Sequence, residues 1–183
     1  MGDANRRAAV LILGAVLFPG CEPRPRAPAL TNDPVFVSEQ EGFRFLAPDD
    51  WSQGVRGDIP PGKADKERPL VEFSRMSGGP PASLRVSLAD LPPSTDLAAY
   101  LAGPSFSAER WAPTEAAVDA PVGSASGVRY AFKARVGKGE MVKEVVAVRR
   151  GERVYFFTAL YTPKDTEVRE QLRRVVGSVV WKK

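Results

Sequence analysis

The chain is predicted to be α+β: an antiparallel β-sheet with helices packed on it, carried in a single domain over residues 35–183. Three observations predict this. Apolar and polar residues alternate with period two through most of the stretch from Val35 to Tyr161, as they do in half-buried strands. Gly-containing turns such as Glu41-Gly42, Gly137-Lys138-Gly139 and Arg150-Gly151-Glu152 separate these runs, so successive strands double back on one another. Near the end the period lengthens to 3.6, and Val168, Leu172, Val175, Val176 and Val179 fall on one stripe of a helix.

Ahead of the domain lie a leader and a tether. Residues 1–20 read as a signal peptide: Met1 to Arg7 ends in Arg6-Arg7, Ala8 to Phe18 is an uninterrupted run of apolar and small residues, and Pro19-Gly20-Cys21 follows directly. The run falls short of the about 20 residues that a helix needs to cross a hydrocarbon core of roughly 30 Å. It is therefore a cleaved leader and not a span. Residues 21–34 carry Pro23, Pro25, Pro28 and Pro34 with almost no large apolar residue, the composition of an extended polyproline-like spacer of about 3.1 Å per residue.

Within the domain, Val35-Phe36-Val37 and Phe43-Arg44-Phe45-Leu46 flank Glu41-Gly42 as a hairpin, and Pro48-Asp49-Asp50 ends its second strand before Trp51. Gly54 to Pro69 is rich in Gly, Pro and charge and reads as a loop. Leu70 to Met76 and Leu84 to Leu91 are strands, with Val71 and Phe73, then Leu84, Val86 and Leu88, on one face. Ser94-Thr95-Asp96 offers N-cap chemistry to a short helix from Leu97 to Ala102, which Gly103-Pro104 stops. A meander follows: Val128, Tyr130 and Phe132 alternate with polar neighbours, then come Val142 to Val148 and Arg153 to Tyr161. Thr162 before Pro163, with Asp165 three residues on, resembles the capped start of the final helix. Its polar face carries Glu167, Arg169, Glu170, Arg173 and Arg174.

Composition narrows the chemistry. The net charge is +4, but the signs are interspersed, which describes a mixed solvated surface more than a dedicated anion-binding face. The chain has no histidine; Ser-His-Asp and Cys-His triads, histidine-ligated zinc and the commonest general base are thereby removed. Its one cysteine, Cys21, sits at the leader junction. Paired carboxylates remain, Asp49 with Asp50 or Asp65 with Glu67, as the residue type that glycoside or metal-assisted chemistry would use. Asp49-Asp50, however, stands where a strand-ending turn favours Asx residues in any case. Gly78-Gly79 and Gly137-Lys138-Gly139 are turns, not phosphate loops. Neither a metal nor an organic cofactor is expected. Trp51, Trp111 and Trp181 flank element boundaries and read as lids on a small core. Arg149, Arg150, Arg153, Arg173 and Arg174 would form a basic patch if the last helix packs beside their strands; its partner would then be anionic lipid or a cell-wall polymer rather than nucleic acid, for which no motif is present.

Two resemblances add to this reading. Gly20-Cys21 after the apolar run resembles the bacterial lipobox, although Phe18 and Pro19 stand where that pattern has leucine and a small residue. The likeness implies that the Cys21 sulfur receives a diacylglycerol and that Cys21 begins the mature, exported chain, anchored to a bacterial membrane on the periplasmic side or at the cell surface. Acylation would also account for a lone thiol in an oxidising compartment, where no intramolecular partner exists for it. Secondly, Gly42-Phe43-Arg44-Phe45 with Pro48-Asp49-Asp50-Trp51, the late strand Arg153-Val154-Tyr155-Phe156 and the closing helix running into Ser178 look like the PsbP-like fold. That resemblance implies an α/β/α sandwich, a fold used by extrinsic photosystem II subunits, a Ran-binding nuclear import factor and DcrB-like lipoproteins, whose roles are chiefly binding and assembly. It carries no catalytic residues. The expectation is thus a lipid-anchored envelope binding or assembly module, not an enzyme, with a protein partner in the envelope; the alternative is a carboxylate-dependent envelope hydrolase or transferase built on Asp49, Asp50 and Asp65.

Overall fold

The computed structural model describes residues 34–54, 66–75 and 79–182; Cys21, Asp65, Met76, the leader and the tether as far as Asp33 lie outside these. The elements in order are β1 (Val35–Ser38), β2 (Phe43–Leu46), β3 (Ser52–Gly54), β4 (Arg68–Ser74), β5 (Ser83–Asp90), α1 (Leu97–Leu101), β6 (Ala112–Pro113), β7 (Val118–Val122), β8 (Ala125–Val136), β9 (Gly139–Arg150), β10 (Arg153–Tyr161), α2 (Thr166–Gly177) and β11 (Val180–Trp181). They make two antiparallel sheets. The larger runs β3-β4-β5-β10-β9-β8-β6, with β7 also on β8, and the smaller runs β1-β2-β11.

The meander β8-β9-β10 forms as its turns predict, and β10 then takes β5 as its second partner, Arg153 opposite Asp90 through Leu160 opposite Ser83. This places β10 at the centre of the sheet with both faces covered. Tyr155, Phe157, Ala159 and Tyr161 join one core with Val146, Val148, Leu84 and Val86. Val154 and Phe156 join another on the opposite face, with Val145, Ala147 and Trp111. Burying each such large apolar side chain contributes about 1.5–3 kcal/mol, so a strand that points large residues both ways ties two cores to one backbone.

The helices divide between those cores. Val168, Leu172, Val175 and Val176 of α2 lie in the first, as the apolar stripe predicts, together with Phe43, Phe45 and Trp181 of the small sheet. Leu97, Tyr100 and Leu101 of α1 lie against the second. Asp96 caps α1 as expected, its carboxylate accepting from the N–H groups of Ala98 and Ala99. The start of α2 corrects the sequence expectation: it begins at Thr166, not beside Thr162, and the Asp165 side chain bonds to Arg75 in place of capping the helix. At its other end Ser178 donates to the Val175 carbonyl and accepts from the Leu46 N–H, both at hydrogen-bond distance, which joins the helix terminus to β2.

Helical content is smaller than the sandwich expectation. Among the described residues only α2 is a helix of several turns, and a three-stranded sheet shares its face. Strands β3, β6, β7 and β11 were not foreseen. Each is short, and β6 and β7 contain Pro113 and Pro121, which strand patterns penalise but which an edge position tolerates. The expected loop from Gly54 to Pro69 shrinks as well, since Gly54 closes β3 while Arg68 and Pro69 open β4, where Pro69 sits at a register shift against β5.

The β7–β8 turn fixes where the C-terminus returns. Gly123 has φ +58°, and a Cβ there would stand 1.9 Å from the Val179 carbonyl oxygen. Gly137 has the same φ with nothing within 4 Å of a Cβ. We therefore expect Gly137→Ala to cost about 1–2 kcal/mol from the left-handed conformation alone, and Gly123→Ala at least about 3 kcal/mol because backbone must also move. Urea midpoints of the two variants measure the difference; equal costs would show that the close approach is not tight.

Candidate functional site

Two charged side chains interrupt the otherwise apolar middle of β9: Lys143 and Glu144, 2% and 0% exposed. Being consecutive in a strand, they point to opposite faces. Their environments differ in one decisive respect. Glu144 is compensated: it accepts from the Tyr161 hydroxyl at 2.7 Å, from Arg169 Nε at 3.2 Å and from Arg129 at 3.4 Å. Burial and then the hydrogen bond to Glu144 push the Tyr161 phenol up to about 12. Lys143 has no carboxylate at salt-bridge distance among the described residues. Its ammonium donates to the Leu101 carbonyl and, at 3.0 Å, to Ser105 Oγ, and it lies 4.7 Å from the Trp111 ring centroid and 5.3 Å from that of Phe132.

Sequence and fold both hold that arrangement. The Leu101 carbonyl is one of the acceptors left open at the end of α1. Trp111, fully buried, fastens the following loop by donating from its backbone N–H to Ala102 and from its indole N–H to the Ser105 carbonyl, each at 3.0 Å. Within that loop Phe106 and Ser107 have φ of +51° and +63°, a conformation that non-glycine residues keep only where the surroundings impose it. The Arg85 guanidinium covers the Phe106 ring at 4.5 Å and is itself held by Glu72 at 2.7 Å.

Between this loop, α1 and the sheet is a cavity of about 480 Å³, lined by Lys66, Glu67, Arg85, Tyr100, Ser105, Phe106, Lys143 and Thr158 among others. Its volume is that of a small-molecule site, and polar and apolar groups share its lining about equally. Burial lowers the Lys143 ammonium to about 8, against the pull of the Glu67 charge. Burial, then the Glu67 charge, raises the Tyr100 phenol. Glu67 accepts from Ser87 Oγ at 2.6 Å.

The residues singled out in the sequence are distributed differently. Asp49 bonds to Arg174 of α2, whose hydrogen bond holds its carboxyl below the usual range, and its N–H donates to Gln171. Asp50 occupies the left-handed turn at φ +58°. Both are on the α2 side, whereas Glu67 faces the cavity on the α1 side, so the described carboxylates do not converge; Asp65 and Cys21 lie outside the described residues. The arginine cluster does not assemble into a bare patch. Arg153 binds Glu41 and Asp90, Arg173 binds Glu170, Arg174 binds Asp49, Arg149 donates to the Leu91 carbonyl, and Arg150 covers the Trp181 ring. Trp181 and Trp111 are buried as lids should be, and Trp111 additionally forms a wall beside Lys143. Lys143 itself escaped the sequence reading, although a Lys-Glu pair inside the run from Val142 to Val148 was a signal that both faces of this strand carry something costly to bury.

The Lys143 charge sets a pH dependence. Its folded pKa lies below that of an unfolded lysine, so between the two the unfolded chain binds the extra proton and stability rises with pH. Tyr155 and Tyr161, both pushed up to about 12, act in the opposite sense: their contribution is complete below about pH 10 and is lost above it. The urea midpoint of the wild type should rise between about pH 8 and 9.5, and that of Lys143→Met should stay flat there. A parallel rise in the variant would assign the effect to another group.

No family model matches the chain, and no curated protein matches it. Among solved structures, the solution structure of the cyanobacterial PsbP (CyanoP) of Synechocystis is similar at 14% identity, over 85% of this chain and 96% of that one, with a TM-score of 0.56. A crystal structure of a protein from Bacteroides thetaiotaomicron is similar at 10% identity, over 84% of this chain, with a TM-score of 0.56; this chain spans 50% of its length. Similarity at these identities is one of backbone architecture: the fold of this chain is PsbP-like.

Proposed function

We propose that this chain is a lipid-anchored binding or assembly module of a bacterial cell envelope, non-catalytic, whose domain engages its ligand or partner at the Lys143 pocket. The observation that carries the reading is a buried ammonium with no carboxylate at salt-bridge distance among the described residues, at the wall of a cavity of about 480 Å³; leaving a charge so placed is costly unless something compensates it. The anchor half rests on the sequence: Arg6-Arg7, the apolar run to Phe18, Gly20-Cys21 and the proline-rich residues 21–34. In this reading the domain is a PsbP-like α/β/α sandwich with one helical layer reduced to α1 and the loop that Trp111 fastens. Its partner is an envelope protein or a molecule that such a protein presents.

Intact-mass analysis of the detergent-extracted protein tests the anchor. We expect a mass beginning at Cys21 with added acyl chains, and a Cys21→Ser chain that leaves the membrane fraction. An unmodified mass, or one retaining Met1, would remove the anchor from the proposal.

Carboxylate chemistry has less support, because Asp49 is engaged by Arg174 and Asp50 serves a turn. Since the Asp49–Arg174 pair is partly exposed, Asp49→Asn should cost less than about 1 kcal/mol and complement a deletion strain fully. A folded variant that failed to complement would restore the hydrolase or transferase alternative.

A further inference from the structure

We infer that the Lys143 pocket takes a monoanionic carboxylate carried on a compact apolar body. This rests on the reading of that cavity as the ligand site and names the chemistry of what fills it. Among the described residues, the charges lining the cavity are three cations, Lys66, Arg85 and Lys143, and one carboxylate, Glu67. Arg85 is already held by Glu72. What remains is Lys143 and Lys66 against Glu67, a surplus of a single positive charge. One negative charge balances it; a phosphate dianion would overshoot, and a cation would add to the surplus.

The hydrogen-bonding groups agree. Ser105 Oγ accepts from Lys143, which leaves its own O–H to donate, so a carboxylate at this point meets an ammonium and a hydroxyl side by side. Around them Pro69, Tyr100, Leu101, Pro104, Phe106 and Val145 supply apolar surface, which a purely inorganic anion would leave unfilled and wet. A short hydrocarbon or a single ring attached to the carboxylate covers that surface and fits the volume. Because the site is assembled from β4, β5, β9, β10 and the α1 loop, both its charge and its shape belong to the folded state.

The titratable and charged groups that face Lys143 are Lys66 and Glu67 ahead of β4, Arg85 of β5 with its partner Glu72, and Tyr100 of α1. The carboxylate binds the ammonium form, so its affinity should fall roughly tenfold per pH unit above about pH 8.

Calorimetric titration of the full chain with phenylacetate and hexanoate, beside the neutral phenylacetamide, tests this. At pH 7 both acids should bind, and phenylacetate at least tenfold more tightly than phenylacetamide. Lys143→Met should lose at least tenfold in affinity for the acids and little for the amide, and Ser105→Ala, which keeps the charge, should lose severalfold. If Lys143→Met does not fold by circular dichroism, the pH profile of the wild type and the Ser105→Ala affinity carry the test. An amide that binds as tightly as the acid, or an acid affinity flat through pH 9, would overturn the anion inference and leave the pocket as a ligand site. Phenyl phosphate preferred over phenylacetate would overturn the monoanion assignment. No binding by any of these probes would overturn the inference and count equally against the pocket reading, while leaving the anchor result unaffected.

Discussion

Strand β10 carries large side chains on both faces, and covering them is the condition around which the rest of the domain is arranged. Tyr155, Phe157 and Tyr161 call for one cover, and Val154 and Phe156 for another. The first is met by α2 and the small sheet, which needs both chain ends: β1 and β2 come from the start of the domain and β11 from its last residues, with Trp181 donating its indole N–H to the Val122 carbonyl at 3.0 Å. The second is met by α1 and the loop after it, too short to form a helical layer and so fastened by Trp111 instead. This asymmetry explains the cavity. A full helix packed along the α1 face would fill the space between sheet and cover, whereas a five-residue helix and a strained loop leave a hollow where β4, β5, β9 and β10 present their side chains.

The same asymmetry decides the fate of the two charges on β9. Glu144 faces the well-packed side, where Tyr161 on the neighbouring strand, Arg169 on α2 and Arg129 on β8 converge on it. A buried carboxylate with that many donors is a structural element, its charge answered by two guanidinium groups, on Arg169 and Arg129, that themselves reach solvent. Lys143 faces the hollow side, where the donors' counterparts are a carbonyl, a hydroxyl and two ring faces. Such groups orient an ammonium without neutralising it, and the lowered pKa expresses the deficit. Two adjacent residues with equal burial thus take opposite roles because the layers above and below the sheet were built differently.

Likeness to CyanoP and to the Bacteroides thetaiotaomicron protein shows the architecture and leaves the chemistry of this pocket to its own residues. Lys143, Ser105 and the cavity beside them are particular to this chain's own side chains.

By itself the sequence determined the local elements and their inward faces. The β1–β2 hairpin, the meander from β8 to β10, the Asp96 cap of α1 and the apolar stripe of α2 were legible because turn chemistry and periodicity act over a few residues. The proposed leader ending at Cys21 rests on a signal of the same local kind, composition and order. Only the tertiary structure decided which strands are central, that Asp165 serves Arg75 and not the helix, that Asp49 and Glu67 are on opposite sides, and that β11 closes the small sheet against β2. Lys143 shows the reason most clearly. Its place in an apolar strand was visible, but what its charge would meet depended on a backbone carbonyl 42 residues away and a hydroxyl 38 residues away in sequence, and on a cover that stops short of filling the face above it. Pairing of that kind is fixed by packing between distant segments, and no pattern along the chain encodes it.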